Sequence, residues 1–252
     1  MEPLIITRED GWGRLRLNRP QARNALNTAL LRDLAAAFAT LSTDPGCRAV
    51  LLQGTDGNFA AGADIAEIAT KSSAESAVDP RKGYWATIRA FPKPVIAAVD
   101  GFALGGGLEL ALMADLLVAG QTARFGLPET NLGLIPGAGG GQRLLARIGP
   151  ARAARLVLTG EIIDAATAFD WGLASHLAPA DAEPEGEALA ARLAQRAPLA
   201  LCAAKAALVA GAEAALAFHA ERAGFEGLLD SQDKAEGIRA FREKRKPEFR
   251  GT

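Results

Sequence analysis

Apolar residues along the chain follow two different periods. Residues 4–7 and 14–17 flank Asp10-Gly11, and the alternation across 13–17 predicts a β-hairpin. Leu30, Leu31, Leu34, Phe38 and Leu41 recur at helical spacing after Asn27 and Thr28, either of which can cap a helix. Asp44-Pro45-Gly46 ends that helix. The short unbroken apolar runs 49–52 and 95–99 predict strands covered on both faces. Between them, 54–62 is a loop rich in Gly, Asn and Asp, and Asp64 starts a short helix. Residues 71–82 are polar, contain Asp79-Pro80 and read as a mobile loop, whereas 84–91 read as a helix stopped by Pro92 and Pro94. A glycine turn at 101–107 precedes a helix opening at 108–113, and 116–119 and 123–125 read as strands. From Ala138 onward the pattern is almost wholly helical, with an alanine-rich amphipathic set over 182–246.

Strand–helix units followed by a helical tail define an α/β class. The 252 residues are 49% hydrophobic and 23% charged, the balance of a chain that buries a core. The net charge of −1 offers no basic excess for phosphates, so nucleic acid is not expected as a partner. The run 242–246 reads as a solvated helix face or a binding patch. Cys47 and Cys202 are too few for a metal cage or a disulfide framework, and read as small buried residues in a reducing compartment. His176 and His219 add no convincing zinc site, and no metal is expected. The first residues lack the features of a signal peptide. The most apolar stretch, 94–120, is interrupted by Asp100, Glu109, Asp115 and glycines, which argues against a membrane span. A cytoplasmic protein is expected.

The chemistry-bearing features are glycine loops and two glutamates. Gly137-Ala138-Gly139-Gly140-Gly141 resembles a dinucleotide loop only in part, because Gln142 stands where the last glycine belongs and no N-terminal strand unit precedes it. Gly105-Gly106-Gly107-Leu108-Glu109 places glycines at a helix start, where backbone N–H groups lack intrahelical acceptors. Ala61-Gly62-Ala63-Asp64 repeats the arrangement. Two such N–H groups on one oxygen would form an oxyanion hole; the other reading is a pair of turns with packing glycines. Glu109 lies among apolar neighbours, and desolvation should raise its pKa toward a value useful for proton transfer. Glu129 follows Pro128 on a loop, where a surface or capping carboxylate is the alternative. Together these parts suit proton and water chemistry beside an activated carbonyl.

The chain resembles the crotonase superfamily, and enoyl-CoA hydratases in particular. The resemblance runs through Asn18-Arg19-Pro20, Asn24-Ala25-Leu26, Phe59-Ala60-Ala61-Gly62-Ala63-Asp64-Ile65 and Lys93-Pro94-Val95. It continues in Gly105-Gly106-Gly107-Leu108-Glu109-Leu110, Phe125-Gly126-Leu127-Pro128-Glu129, Gly133-Leu134-Ile135-Pro136-Gly137 and Phe241-Arg242-Glu243-Lys244-Arg245. It implies a spiral of repeated β-β-α units over residues 1–195 and a C-terminal helical trimerisation region over 196–252. It also implies a homotrimer or homohexamer. It implies the amides of Ala63 and Gly106 as the oxyanion hole and Glu109 and Glu129 as the catalytic acids. Arg23, Ala25, Ala61, Asp64, Ile65, Phe225, Phe241 and Lys244 would contact the acyl-CoA substrate. CoA is part of that substrate, and no other cofactor is implied.

Within the resemblance, isomerases typically keep only the second acid, and dehalogenases need an aspartate that 131–141 lacks. Both glutamates therefore favour hydration over isomerase or other crotonase-type chemistry, and over a non-catalytic acyl-CoA- or RNA-binding member. Ala66 stands where many hydratases carry a Lys, which leaves Arg23 and a neighbour's Lys244 as candidates for the CoA phosphates. Gly141 stands where Thr is common. Arg81 and Lys82, just before Tyr84 and Trp85, are either solvated cations or partners for a carboxylate at the far end of the acyl chain. Leu208, Leu216, Phe218, Phe225, Leu228 and Leu229 are the apolar positions expected to support self-association.

Overall fold

The computed structural model describes residues 2–212 and 225–248. The chain opens with the expected hairpin, β1 (Leu4–Glu9) antiparallel to β2 (Trp12–Leu17). Helix α1 (Thr28–Thr43) begins at Asn27, whose side chain accepts the Leu30 N–H at 2.9 Å. β3 (Ala49–Gly54) runs parallel to β2, and β4 (Val95–Val99) runs parallel to β3. The side chains of β3 and β4 divide by alternation. Val50, Leu52, Val95, Ala97 and Val99 join the main core with α1, whereas Leu51, Ile96 and Ala98 join a second cluster on the opposite face. Burial on both faces explains why these strands are continuous apolar runs.

The chain winds as a spiral. Each turn places one strand in the large sheet, adds a short rung to a second sheet, and then starts a helix. In the first turn β3 leads to Ala60, which bridges Ala103, and then to α2 (Ile65–Ala69). After α3 (Ser73–Ala77) and α4 (Arg81–Arg89), the second turn is β4, β5 (Phe102–Leu104) and α5 (Gly106–Ala111). The third is β6 (Leu116–Ala119), β7 (Arg124–Gly126), a 3-10 turn over Pro128–Leu132 and α6 (Gly140–Thr159). β4 pairs with β6 and β5 with β7, both in parallel. Close approach of the turns depends on Gly107: a Cβ there would lie 2.1 Å from the Ala60 carbonyl oxygen.

The remainder adds β8 (Ile163–Asp164), α7 (Ala165–Asp170), β9 (His176–Leu177), α8 (Glu183–Ala194), α9 (Pro198–Ala212) and α10 (Gln232–Glu243). The strand orders are β1-β2-β3-β4-β6-β9 and β5-β7-β8. α8 covers the second face of β3 and β4, with Leu189 and Ala190 in the cluster around Leu51. The part after Ala138 is almost wholly helical as expected, interrupted by β8 and β9, which at two residues each are too short to show a period. Leu216, Phe218 and His219 lie outside the described residues. No helix of the described residues is long and apolar enough to cross a membrane.

Residues 71–82 also depart from expectation. They form α3, closed by a Ser72–Glu75 capping box, and lead directly into α4. Asp79 and Arg81 are buried and joined, with Arg81 Nε donating to Asp79 Oδ2 at 2.9 Å and Lys71 pairing with the same carboxylate. Burial alone would raise the Asp79 pKa, but Lys71, the Arg81 N–H and the Arg81 charge hold it below its usual value. Lys71, Asp79 and Arg81 thus satisfy one another, Ser73 and Lys82 reach Asp230 and Glu226, and Glu75 stays exposed.

Asn24 is fully buried and ties the first loop to the spiral. Its Oδ1 accepts the Arg19 N–H at 2.8 Å, and its Nδ2 donates to the Thr55 and Asn58 carbonyls at 3.0 and 2.7 Å. Its φ of 58° lies in the left-handed region that Asn tolerates. Asn24→Ala leaves these buried groups without their partner and should cost about 2–3 kcal/mol of stability, measured as a lowered urea midpoint at unchanged m.

Candidate active site

Three helix starts, each the product of one spiral turn, meet at a cavity of about 370 Å³. They bring Ala63, then Gly105 and Gly106, then Pro128 and Glu129 to its wall. Leu26, Ile68, Trp85, Leu134 and Phe225 make most of the surrounding surface apolar.

Two backbone N–H groups face this space. Leu26 donates to the Gly62 carbonyl and accepts from the Asp64 N–H, so this parallel bridge engages the residues on either side of Ala63 and leaves its N–H directed away. Gly106 is the first residue of α5, so its N–H has no intrahelical acceptor. Among the described residues neither N–H meets an acceptor. The two groups are neighbours, since a Cβ on Gly106 would lie 3.5 Å from the Ala63 nitrogen. Gly105 makes the turn possible at φ 49°, with its N–H bound to the Gly126 carbonyl at 2.9 Å. A carbonyl oxygen between the two donors would gain stabilisation as it acquires negative charge.

Glu109 projects from the first turns of α5 and is 4% exposed. Its Oε1 accepts the N–H groups of Ala138 at 2.6 Å and Gly140 at 2.9 Å. Burial pushes its pKa up; the amides of Ala138 and Gly140, the Arg143 charge and the Gly137 amide oppose that push, and the pKa remains above the usual carboxylate value. Gly140 must be glycine for this fit, because a Cβ would lie 2.8 Å from Glu109 Cγ. Glu129 is half-buried on the 3-10 turn and packs against Gly105, whose added Cβ would lie 3.0 Å from Glu129 Oε1. A buried carboxylate and a second, half-buried one thus share one apolar chamber with two backbone donors.

Most of the expected site residues come together here. Arg23, Ala61, Ala63, Ile65, Gly106, Glu109, Glu129, Phe225 and Phe241 line the cavity. Arg23 is exposed at the rim, with its guanidinium 5.4 Å from the centre of the Phe102 ring. Asp64 is not on the wall: it caps α2 by accepting the Ala66 N–H at 3.2 Å and pairs with Arg19 at 3.0 Å. Ala25 is also off the wall, its carbonyl bound by Arg19. Lys244 ends α10 in a left-handed conformation on the surface of the same chain, away from the cavity. Of the two cations before Tyr84, Arg81 reaches the wall, whereas Lys82 pairs with Glu226. Sequence reasoning missed the role of residues 137–140. The glycine run was read against a dinucleotide template, while its amides bind a carboxylate of the chain itself; glycines opening a helix were the available signal.

Residues 7–252 match the family model described as enoyl-CoA hydratase/isomerase. The 2,3-dehydroadipyl-CoA hydratase of Escherichia coli is 47% identical, with 100% of each chain covered. A probable enoyl-CoA hydratase of Mycobacterium bovis is 42% identical over 98% of each. The crystal structure of carnitinyl-CoA hydratase from Mycobacterium avium superposes with a TM-score of 0.89 at 35% identity, covering 100% of both chains. Motifs, spiral and cavity agree with these comparisons over the full length, and the chain belongs to the enoyl-CoA hydratase/isomerase family of crotonase fold.

Proposed function

We propose that the protein adds water across the 2,3 double bond of a 2-enoyl-CoA thioester to give a 3-hydroxyacyl-CoA. The observation that carries this reading is the pair Glu109 and Glu129 on one cavity wall with the Ala63 and Gly106 amides. The thioester oxygen lies between the two amides. Glu109 takes a proton from water as its oxygen bonds to Cβ, and the electron pair of the double bond moves onto the thioester oxygen as an enolate. The amides stabilise that charge, and Glu129 then gives its proton to Cα as the carbonyl re-forms. Addition of the water oxygen to Cβ and two proton transfers account for every bond change with no net change of oxidation state, so the reading calls for no metal or redox cofactor. Isomerisation would need only one acid, and two acids favour hydration.

Arg23 at the rim is the cation of this chain suited to the CoA phosphates. Lys244 would serve the same end from a neighbouring subunit. We infer a homotrimer or a dimer of trimers. Its support agrees with expectation in part: Leu208 on α9 is 76% exposed, whereas Phe225 and Leu229 are buried within their own chain, and Leu158 at 73% exposure and Phe169 at 46% add apolar surface on α6 and α7. Light scattering at micromolar concentration should give the mass of three or six chains, and a monomer would remove this inference. The free thiols Cys47 and Cys202 suit a cytoplasmic setting.

At the acyl end, Arg81 supports a substrate carrying a second carboxylate, as the name of the Escherichia coli relative implies. Arg81 Nε is engaged by Asp79, and Nη1 forms a longer ion pair with Glu67 at 3.6 Å. The side chain lines the cavity, and its terminal nitrogens make no closer hydrogen bond among the described residues. An alkyl tail would offer those donors no acceptor, whereas a substrate carboxylate can accept from them. Wild type should favour 2,3-dehydroadipyl-CoA over 2-hexenoyl-CoA by at least about tenfold in kcat/KM, and Arg81→Met should abolish the preference. An unchanged preference in the variant would remove the diacid assignment and leave the hydratase reading intact.

Purified protein should consume crotonyl-CoA or a longer 2-enoyl-CoA, followed as loss of the conjugated thioester absorbance. Glu109→Gln and Glu129→Gln should each lower kcat by at least ~100-fold with folding intact. No turnover with any 2-enoyl-CoA would refute the hydratase reading. Because Glu109 must be ionised to accept a proton and burial raises its pKa, kcat/KM should fall on acidification at a pH above the ordinary carboxylate range.

A further inference from the structure

The peptide group joining Gly139 to Gly140 has a charged partner at each end. Its N–H donates to Glu109 Oε1 at 2.9 Å, and its carbonyl accepts from Arg143 Nη1 at 3.2 Å. The N–H and C=O of a trans peptide point in opposite directions, so carboxylate and guanidinium face one another across a single planar group. Ala138 reinforces the arrangement: its N–H donates to Glu109 at 2.6 Å and its carbonyl accepts from Arg143 Nη1 at 2.9 Å. Hydrogen bonds joined in this way polarise each other, and the effect is largest where charges close both ends in a dry interior.

We propose that Arg143 is a positioning residue for the Glu109 base, holding the carboxylate ionised and in place through the Gly139–Gly140 peptide. The inference rests on Glu109 serving as the base in hydration. Arg143 is one of two arginines spaced four apart on α6, and their tasks differ. Arg147 donates to the Leu112 and Ala114 carbonyls at 3.0 and 2.6 Å, which fastens α6 to the end of α5. Docking of α6 therefore has its own arginine, and the Arg143 bonds to the Ala138 and Gly139 carbonyls go to the loop that carries the Glu109 amides. The charged groups around Glu109 among the described residues are Glu129 from the 3-10 turn, Arg143 from α6, and Arg23 and Arg81 elsewhere on the cavity wall. Glu129 disfavours the ionised form of Glu109 by like charge when it is itself ionised, and burial disfavours it further. Arg143 works against both.

The test is a pH profile of kcat and KM for Arg143→Met and Arg143→Lys, in the wild type and in a Glu109→Gln background. Arg143→Met should lower kcat about tenfold at neutral pH, the loss of one charge-assisted hydrogen bond. It should move the acid limb to higher pH, with KM changed less than about twofold. Arg143→Lys should restore part of the shift. In the Glu109→Gln background Arg143→Met should have no further effect, because the group it acts on is gone. An acid limb that stays in place, or an equal loss in both backgrounds, would overturn the positioning role and leave hydration untouched. Near wild-type turnover by Glu109→Gln alone would instead remove the base assignment, and this role with it. If Arg143→Met fails to fold, Arg143→Lys carries the same comparison.

Discussion

Burying the carboxylate of Glu109 is the constraint that the rest of the site obeys. A carboxylate that is 4% exposed demands hydrogen bonds, and none of its apolar neighbours on α5 can supply them. The supply comes from residues 138–140, which open α6 with Gly139 in the left-handed region and Gly140 without a side chain to obstruct the approach. The result is a compromise of opposing influences. Dry surroundings favour the neutral acid, amide donors and a nearby arginine favour the ion, and the balance leaves a carboxylate whose proton affinity is raised.

The spiral explains why the remaining parts arrive at the same place. Each turn crosses from the large sheet to the small one before starting a helix, so successive helix starts lie side by side, about a strand spacing apart. A helix start is where the backbone has N–H groups to spare. The donors proposed for the oxyanion thus need no special side chain, only the small residues Ala63 and Gly106 that would let a ligand oxygen come close. The segment around Phe225 and Phe241 closes the chamber from the other side, supplying apolar surface rather than chemistry.

Much of this was legible in the sequence where one physical signal dominated. The runs 49–52 and 95–99 could only be strands buried twice, and the spacing of Leu30, Leu34, Phe38 and Leu41 could only be one helix face. The short strands β5, β8 and β9 were not legible, because two or three residues establish no period and their pairing is set by the turns before them. Residues 71–82 looked solvated because polarity was all the sequence offered; the Lys71–Asp79–Arg81 cluster appears only when the helices pack. Asp64 fitted a substrate contact equally well until Arg19, 45 residues earlier, arrived beside it. The glutamates were found from their motifs, but the support of Glu109 was not, since its donors stand about 30 residues downstream.

The fit between Glu109 and Gly140 also bears on how such a site can diverge. Glu129 sits on a half-buried turn and packs against Gly105. Glu109 is different. Removing its carboxylate takes the acceptor away from the Ala138 and Gly140 amides, and a side chain at residue 140 would collide with the acid. A lineage that abandons the first acid must therefore find new partners for the glycine loop as well. The scaffold makes that acid and its loop inheritable as a block.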